Sequence, residues 1–411
     1  MNQRACRFCH APLTESFADL GMSPLSNAYL TAEQLGAMER FYPLHAWVCG
    51  SCFLVQLEEF EKPEQIFSDY AYFSSYSDSW LAHCEAYARM AIQRFGLGGS
   101  SQVVEIASND GYLLQYFRGA GIPVLGVEPA ANVAEAARTK GIPTEVCFLG
   151  ADTARALAAR GVIADLLVGN NVFPHVPNLN DFTEGLRILL APHGVLTLEF
   201  PHLLRLMQEN QFDTIYHEHF SYFSLRTARA VLAAQGLVVF DVEEPPTHGG
   251  SLRVYACRAE AAAQRMTPAP DRLVAREEAA GLHALNAYSR FAEQVRATKR
   301  ALLRFLLEAH EQGTRVVGYG APAKGNTLLN YCGIRSDLLD YTVDRSPHKQ
   351  GKFLPGTHIP IYPPERILET RPDYVLILPW NLQQEILAQM RAVREWGGRF
   401  VVPIPRVEVL A

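Results

Sequence analysis

The stretch Gln102-Val-Val-Glu-Ile-Ala-Ser-Asn-Asp-Gly-Tyr-Leu-Leu114 decides the fold. An apolar run ends in a polar turn and a helical pattern follows, which is typical of a buried parallel strand leading into a crossover helix. Glu105 interrupts the apolar run, and because an unpaired buried carboxylate is costly we expect it to meet a donor from a ligand or a backbone amide. The next predicted strand ends at Glu128, roughly twenty residues on, the spacing at which an acid reaches a ribose in doubly wound folds. Two acids at neighbouring strand ends predict an adenosine pocket.

The composition of the turn favours one kind of adenosine ligand. A pyrophosphate needs close backbone approach at several glycines, whereas this turn has one. Glu105 and Asp110 would repel a phosphate but suit the cationic sulfonium and amino group of S-adenosylmethionine. The turn resembles the first motif of class I methyltransferases, E-x-G-x-G-x-G, and the resemblance places Ala107, Asn109 and Gly111 at its glycine positions. The alternative is an ordinary strand turn that binds nothing.

Composition narrows the class of protein. The 411 residues are enough for about two or three domains, each with its own core. The 43 acidic residues outnumber the 37 basic ones and no basic block is present, so nucleic acid is not expected as a partner. The N-terminus has no apolar signal segment and no apolar run is long enough to cross a bilayer, so a soluble, cytoplasmic protein is expected.

Two C-x-x-C pairs predict a metal site, formed by Cys6, Cys9, Cys49 and Cys52. Four thiolates satisfy a tetrahedral zinc ion, and the small residues Gly50 and Ser51 allow backbone amides to turn toward the sulfurs. Glycines and prolines divide the intervening chain into loops that a small core could not hold alone, so the zinc is expected to be structural. Redox chemistry is the alternative, but a thioredoxin-like strand and helix are not evident beside either pair.

Residues 67–80 combine three tyrosines with serines just before a predicted helix. The segment is interpreted either as packing between domains or as a hydroxyl-rich surface for a polyhydroxylated ligand. Both interpretations remain open from the residues alone.

The strand predicted before Asn170 is the fourth of the sheet. In a methyltransferase the fourth strand ends beside the methionine portion of the donor, so Asn170, Asn171 and Val172 are expected to border the cofactor. His175 is then expected on the substrate side, with a satisfied structural histidine as the alternative.

The segment at 216–219 reads Tyr-His-Glu-His. On a strand His217 and His219 would share one face and could hold a metal, whereas on a turn they would diverge. Proton chemistry is the favoured interpretation, because the cysteines already account for a metal. A carboxylate such as Glu218 can hold a histidine in one tautomer and make it more basic, as a general base requires.

A second strand-loop-helix begins at residue 315, with a match to G-x-G-x-x-G/A at Gly318, Gly320 and Ala323. Two aspartates, Asp340 and Asp344, follow about twenty residues later, which favours a dinucleotide and an oxidoreductase. Pro322 and Lys324 beside the turn fit a single phosphate or carboxylate ligand equally well.

These patterns predict an α/β protein in three parts with a helical connection. A small zinc-binding domain is expected over residues 1–66 and a class I methyltransferase domain with a Rossmann-like sheet over 67–258. Residues 259–300 form the helical connection, and a second Rossmann-like domain is expected over 301–411.

The order of the motifs resembles that of the three-domain, zinc-containing sugar C-methyltransferases, which act on nucleotide-linked keto-deoxysugars. The resemblance also includes His-Gly-Gly-Ser at 248–251 and Gly-Tyr-Gly-Ala-Pro-Ala-Lys-Gly at 318–325. It implies His219 as the base and Glu218 as its neighbour, with Tyr72, His175 and Tyr216 lining the sugar. The base would remove the proton next to a 4-keto group, and the enolate would attack the methyl group of S-adenosylmethionine.

Two other classes of function remain at this point. One is a methyltransferase of the same build that acts on nitrogen or oxygen of another small molecule. The other is an NAD-dependent sugar oxidoreductase, or a zinc-ribbon binding protein without catalysis. Titration with S-adenosylhomocysteine, NAD and a nucleotide-sugar would separate these classes.

Overall fold

The computed structural model describes residues 4–62, 74–76, 78–263 and 265–410. The strands of this part of the chain, numbered in order, are β1 (Glu15–Ser23), β2 (Tyr42–Val48), β3 (Val55–Leu57), β4 (Val103–Ile106), β5 (Val124–Val127), β6 (Thr144–Glu145), β7 (Ala164–Asn170), β8 (Leu190–Pro201), β9 (Ser221–Tyr222), β10 (Leu237–Glu243), β11 (Ser251–Arg258), β12 (Val316–Tyr319), β13 (Thr342–Val343), β14 (Ile361–Tyr362), β15 (Tyr374–Ile377), β16 (Arg399–Val402) and β17 (Glu408–Leu410).

The α-helices, numbered in the same way, are α1 (Asp78–Phe95), α2 (Leu114–Gly119), α3 (Ala131–Thr139), α4 (Ala151–Ala159), α5 (Leu179–Leu189), α6 (Leu203–Gln208), α7 (Leu225–Ala233), α8 (Ala269–Ala279), α9 (Leu285–Glu311), α10 (Ala323–Cys332), α11 (Glu365–Thr370) and α12 (Gln383–Gln389). Short 3-10 helices lie between several of them. Among the helices described here, none has the length and hydropathy required to span a membrane.

Seven strands form the central sheet in the order β10-β11-β8-β7-β4-β5-β6. β4 pairs in parallel with β5 and β7, whereas β11 is antiparallel to both of its neighbours. All four residues of β4 are buried, as expected for a parallel strand covered on both faces. The strand order reverses between β4 and β7, and ligands of such sheets bind outside the carboxyl ends of the strands at the reversal. The turn after β4 therefore lies at the expected ligand position.

A four-stranded antiparallel sheet, β1-β2-β3-β9, forms the N-terminal part of the molecule. Its last strand, β9, comes from the segment directly after Tyr-His-Glu-His and pairs through Tyr222 with Val55 of β3. On the other side, the ring of Phe17 stacks on that of Phe291 in α9, with centroids 4.6 Å apart. The N-terminal sheet is therefore packed against chain segments that lie far away in sequence.

The C-terminal sheet has the order β14-β13-β12-β15-β16-β17, parallel except for β17. It is preceded by α9, whose buried residues recur every three or four positions: Tyr288, Phe291, Val295, Thr298, Leu302, Leu306 and Ala309. This spacing places them on one face of the helix, so α9 packs along its whole length. The single helix runs through residue 300 without a break.

Candidate active site

The four cysteines predicted to bind zinc come together in the N-terminal part. Their Sγ atoms all lie within 4.8 Å of one another. The backbone amides of Ser51 and Cys52 point at Cys49 Sγ at 3.4 and 3.5 Å, which confirms the predicted orientation of the amides. Donors of this kind stabilise thiolates that ligate a metal. Four thiolates complete a tetrahedral zinc site with no position left for a substrate, so the zinc is structural.

Loss of one of these thiolates is expected to release the metal. Cys49→Ser should lower the zinc content from about one ion per chain to near zero and reduce the melting temperature, because metal binding supplies folding free energy in so small a unit. Cys147 is half-buried and lies outside the cluster, so Cys147→Ser is the matched control and should retain zinc. Metal analysis and thermal unfolding measure both effects. Full zinc content in Cys49→Ser would contradict the assignment.

The turn after β4 has the backbone of a glycine motif with fewer glycines. Ala107, Asn109 and Gly111 have φ values of 55°, 49° and 79°. Asparagine visits this left-handed region more readily than other L-residues, and alanine adopts it at a cost. A Cβ at position 111 would lie 2.8 Å from Cγ1 of Ile142, so glycine is required there.

Glu105 is fully buried at the end of β4. Among the described residues, none donates to its carboxylate oxygens with good geometry, although the hydroxyl of Tyr112 lies close to them. Burial raises the pKa of Glu105 well above its ordinary value, the hydroxyl of Tyr112 lowers it, and the carboxylates of Glu128 and Asp110 raise it further. The sequence predicted that Glu105 meets a donor from a ligand or from a backbone amide. In the described part of the chain, no backbone amide donates to it. A cationic ligand would satisfy the carboxylate, which fits S-adenosylmethionine.

Glu128 and Asp110 both have partners within the protein. The carboxylate of Glu128 accepts hydrogen bonds from the backbone amides of Asn109 and Ala130, both at 2.9 Å, and it keeps lone pairs for a ribose. Asp110 forms an ion pair with Lys140 at 2.8 Å. Lys140 balances part of the charge of Asp110, and the interaction of Asp110 with the donor stays a prediction.

The end of β7 joins the donor turn to a second loop. Asn170 closes the strand and is 8% exposed, and the backbone amide of Asn171 donates to the carbonyl of Glu199 at 2.7 Å. The side-chain nitrogen of Asn171 lies 3.1 Å from Nε2 of His248. Val172 follows, and a 3-10 helix then carries His175. Residues 170–172 thus lie between the donor side of the sheet and two histidines.

The two histidines of Tyr-His-Glu-His diverge, because residues 217 and 218 form a turn. Nε2 of His217 lies 3.2 Å from the carbonyl oxygen of Pro43 in the N-terminal sheet. The ring of His219 instead meets that of His175 edge to face, with centroids 4.7 Å apart. This divergence removes the alternative of a metal ion held by both histidines.

The surroundings of His219 define its tautomer. Nδ1 lies 2.9 Å from the carbonyl oxygen of Thr214, and since a carbonyl only accepts, Nδ1 carries the hydrogen. Nε2 then has the lone pair and lies 2.9 Å from the hydroxyl of Tyr216. Burial lowers the pKa of His219 well below its ordinary value, and His175 contributes to the shift. The imidazole is therefore neutral at pH 7, as a general base must be.

Glu218 does not hold this tautomer, which corrects the expectation from the sequence. Its carboxylate accepts a hydrogen bond from Nδ2 of Asn27 at 2.6 Å, and burial raises its pKa to about 7. The backbone carbonyl of Thr214 has the role expected of Glu218. A backbone group leaves no signal in the sequence, so this partner could not have been found from it.

Sequence reasoning missed a buried ionic cluster at the end of β8. Glu199 is fully buried, and its carboxylate meets the guanidinium of Arg253 at 2.6 Å and the ring of His83 at 3.0 Å. Burial would raise the pKa of Glu199, but the hydrogen bond from His83 and the charge of Arg253 lower it to about 2. The acid near the end of β8 was the available signal, by analogy with Glu105 and Glu128.

His248 begins the motif His-Gly-Gly-Ser at 248–251, and the sequence indicated no role for it. It has a left-handed backbone, with φ of 55°, and its ring lies 5.3 Å from that of Trp80. Burial lowers its pKa to about 4, and the charge of Lys324 lowers it further. Because its Nε2 lies 3.1 Å from the side-chain nitrogen of Asn171, His248 faces the end of β7.

Tyr72 lies outside the described residues. The residues that follow it contact the donor turn: the backbone amide of Ser74 donates to Oδ1 of Asn109 at 2.9 Å, and the hydroxyl of Ser75 donates to Asp110. Ser74 and Ser75 thus lie against the turn after β4.

The glycine turn of the C-terminal sheet is closed by other parts of the protein. A Cβ at Gly320 would lie 2.5 Å from Cδ of Pro379, so this glycine serves packing within the sheet. Asp344 accepts from the amide of Ala321 at 2.8 Å, and the hydroxyl of Tyr29 donates to the carbonyl of Ala321 at 2.6 Å. A dinucleotide phosphate would need free backbone amides in this turn. The amide of Ala321 already donates to Asp344, so the turn does not fit a dinucleotide.

The seven-stranded sheet with its acidic donor turn defines a class I, S-adenosylmethionine-dependent methyltransferase. Three family descriptions match the chain in order: "Putative zinc binding domain" over residues 6–67, "Methyltransferase domain" over 80–242 and "C-methyltransferase C-terminal domain" over 246–405. The chain is also 38% identical over 409 residues to C-methyltransferase NovU of Streptomyces niveus, covering 99% of this chain and 96% of that protein. The chain therefore belongs to the zinc-containing C-methyltransferase family.

Two solved structures are similar to part of the chain. Magnesium protoporphyrin IX methyltransferase of Synechocystis, with bound S-adenosylhomocysteine, is 16% identical with a TM-score of 0.35, covering 43% of this chain and 83% of that one. An S-adenosylmethionine-dependent methyltransferase of Mesorhizobium loti is 16% identical with a TM-score of 0.34, covering 43% and 100%.

Proposed function

We propose that this C-methyltransferase acts on a nucleotide-linked 4-keto-deoxysugar. Nε2 of His219 takes the proton from the carbon next to the ketone, and the C–H electron pair moves into the enolate. That carbon then bonds to the methyl group as the sulfur–methyl bond breaks, leaving a neutral thioether. The observation that supports the proposal is the neutral imidazole of His219, held by Thr214 with its lone pair on Nε2.

The enolate oxygen needs hydrogen-bond donors that do not themselves carry the reacting proton. Without substrate, the hydroxyl of Tyr216 donates to the lone pair on Nε2 of His219; a substrate C–H bond that takes this place at Nε2 would leave the hydroxyl to donate to the enolate oxygen. The ring of His175 lies beside His219 and lines the same space. Burial lowers the pKa of His175 to about 4, and the single N–H of its neutral ring donates to the backbone carbonyl of Glu218, so His175 lines the sugar and is not a donor to the enolate. Tyr72 is proposed as a further hydroxyl donor. Donors already in place stabilise developing charge without reorganisation.

Glu218 is proposed to support the base through the backbone of the turn. Its hydrogen bond to Asn27 fastens residue 218 to the N-terminal part, one residue from His219. Arg7, between the first two cysteines, adds a second link by donating to the carbonyl of Pro177 at 2.9 Å and lying over the ring of Phe220. The loop between Cys6 and Cys9 would thereby help to position the turn, and zinc would act by holding that loop in place.

The donor is proposed to lie across the ends of β4, β5 and β7. Its sulfonium supplies the electrophilic methyl group. The residues proposed to contact it are Glu105, Ala107, Asn109, Gly111, Glu128, Asn170, Asn171 and Val172. Glu105 balances its positive charge and Glu128 binds its ribose. The domain limits 1–66, 67–258, 259–300 and 301–411 are retained as proposals.

The alternatives have less support than carbon methylation of a sugar. NovU is named as a C-methyltransferase, which favours a carbon acceptor over nitrogen or oxygen. The closed glycine turn near Gly320 argues against an NAD-dependent oxidoreductase.

A panel of nucleotide-sugars tests the substrate class. With a deuterated methyl donor, nucleotide 4-keto-deoxysugars should gain one labelled methyl group on carbon by mass spectrometry. In deuterium oxide without donor, the same substrates should exchange the proton next to the ketone, because the base acts before transfer. The matched sugar with a 4-hydroxyl should do neither, since it has no acidified C–H bond. Methylation of the 4-hydroxyl sugar, or labelling on oxygen or nitrogen, would refute the proposal.

A further inference from the structure

Trp380 of the C-terminal part reaches the loop that carries His219. Its Nε1 donates to Oδ2 of Asp213 at 2.7 Å, across 167 residues of sequence. Asp213 is 0% exposed and belongs to a 3-10 helix, Phe212–Thr214. The next residue, Thr214, accepts the hydrogen bond from Nδ1 of His219. The indole is therefore one residue removed from the group that sets the tautomer of His219.

The same indole contacts the loop that carries His248. A Cβ at Gly249 would lie 2.6 Å from Cη2 of Trp380, so the ring occupies the space that a side chain would need. The carbonyl of Gly249 accepts from Nε2 of Gln211 at 2.7 Å, which ties this loop to residues just before Asp213. Trp380 therefore packs between the His219 loop and the His248 loop.

The ammonium group of Lys324 lies over one face of the Trp380 ring. Nζ of Lys324 is 4.5 Å from the centroid of Trp380 and donates to Oδ1 of Asn381 at 2.8 Å. Burial raises the pKa of Asp213 to about 6, and the charge of Lys324 opposes that shift. The cation also lowers the pKa of His219, after the larger effects of burial and His175. The C-terminal part thus brings both an indole and a charge to the base.

We infer that Trp380 is a positioning residue for the methyl-transfer reaction. Through its contacts with Asp213 and Gly249 it fixes the relative positions of the loops that carry His219 and His248. This role rests on the proposed function of His219 as the base. Misplacement of a catalytic group by about 1 Å can cost about 100-fold in rate, so a distant domain can control turnover without touching substrate.

Trp380→Phe removes the N–H donor and keeps most of the ring that packs on Gly249. Asp213 then loses its indole donor and keeps only the charge of Lys324 and nearby backbone amides, so its carboxylate and the 3-10 helix that carries it should shift. We expect kcat to fall by about 10- to 100-fold, with the affinity for S-adenosylhomocysteine unchanged. Trp396→Phe is the matched control, because Nε1 of Trp396 donates to the carbonyl of Pro372 at 3.0 Å within the same part of the chain. It should leave kcat unchanged.

A readout independent of turnover separates this inference from the proposed chemistry. The ring nitrogen signals of His219 in ¹⁵N NMR should report the Nδ1–H tautomer in the natural protein and in Trp396→Phe, and a mixture of tautomers in Trp380→Phe. If His219→Asn proved active, the proposed base would fail, and the NMR comparison would still decide whether Trp380 positions the ring.

Two variants of Asp213 cover the case in which Trp380→Phe does not fold. Asp213→Asn keeps an oxygen that accepts from the indole and should retain most of kcat. Asp213→Leu removes the acceptor of the indole and the carboxylate near the ammonium of Lys324, so thermal unfolding is measured alongside, and the folded variant should lose about 10-fold or more in kcat. Unchanged kcat and unchanged His219 signals in Asp213→Leu would overturn the positioning role, as would equal losses in Trp380→Phe and Trp396→Phe.

Discussion

His219→Asn is expected to reduce kcat by about 10²- to 10⁴-fold while leaving donor affinity nearly intact, the range typical of a lost general base. The side-chain amide of asparagine can take the place of Nδ1–H and donate to Thr214, so the turn should keep its shape. What disappears is the lone pair on Nε2. Single-turnover kinetics with a keto-sugar, together with calorimetry of S-adenosylhomocysteine binding, measure the two effects separately.

The neighbouring histidine provides the control for this experiment. Nε2 of His217 contacts the carbonyl of Pro43, and the terminal amide of glutamine reaches the same position, so His217→Gln should stay close to the natural rate. Most of the activity surviving in His219→Asn would remove this residue from the role of base. A large loss in both variants would indicate damage to the turn instead.

Glu105→Gln is expected to weaken binding of S-adenosylmethionine by about 10- to 100-fold, since a hydrogen bond to a charged group contributes about 1.5–3 kcal/mol. The natural carboxyl has a raised pKa in the free protein, and a cationic donor would favour its ionised form. At a pH below the raised pKa of the free carboxyl, donor binding should therefore release a proton from the natural protein. Calorimetry in two buffers of different ionisation enthalpy should detect that release, and it should be absent from the variant.

The same carboxyl makes the donor-free protein sensitive to pH. Because the folded pKa of Glu105 lies above the unfolded one, its protonated form stabilises the fold below the ordinary carboxyl pKa. That contribution is lost as the pH rises through the raised pKa. The free energy of unfolding should therefore decline over this interval in the natural protein and decline less in Glu105→Gln.

Glu135→Gln tests whether the effects belong to the buried site. Glu135 is exposed on α3, and its nearest ionic partner, Arg138, lies 3.7 Å away at the surface. This control should change neither donor affinity nor proton release, because surface pairs contribute little. If Glu105→Gln binds the donor as tightly as Glu135→Gln does, the charge complementarity proposed for the turn is wrong.

Local patterns in the chain were sufficient for much of the fold. The apolar run of β4, the polar turn and the acid at the end of β5 are adjacent in sequence, so their periodicity and spacing predict a parallel sheet with a donor site. Two C-x-x-C pairs are a metal-binding pattern in themselves. The zinc site could therefore be predicted without knowledge of the rest of the fold. The proposal that the turn binds a cation also rests on residue types, because Glu105 interrupts an apolar run.

The arrangement around His219 depended on the tertiary structure. Glu218, beside it in sequence, binds Asn27, whereas Thr214 holds the imidazole with a backbone carbonyl that any residue could have supplied. Asp213 meets Trp380 only because two sheets pack together. Side-chain types and their periodicity are local properties of a chain and can be read along it. Backbone partners and contacts between distant segments exist only after the cores have packed, so the sheet and its acidic turn were predictable from the sequence while the surroundings of His219 were not.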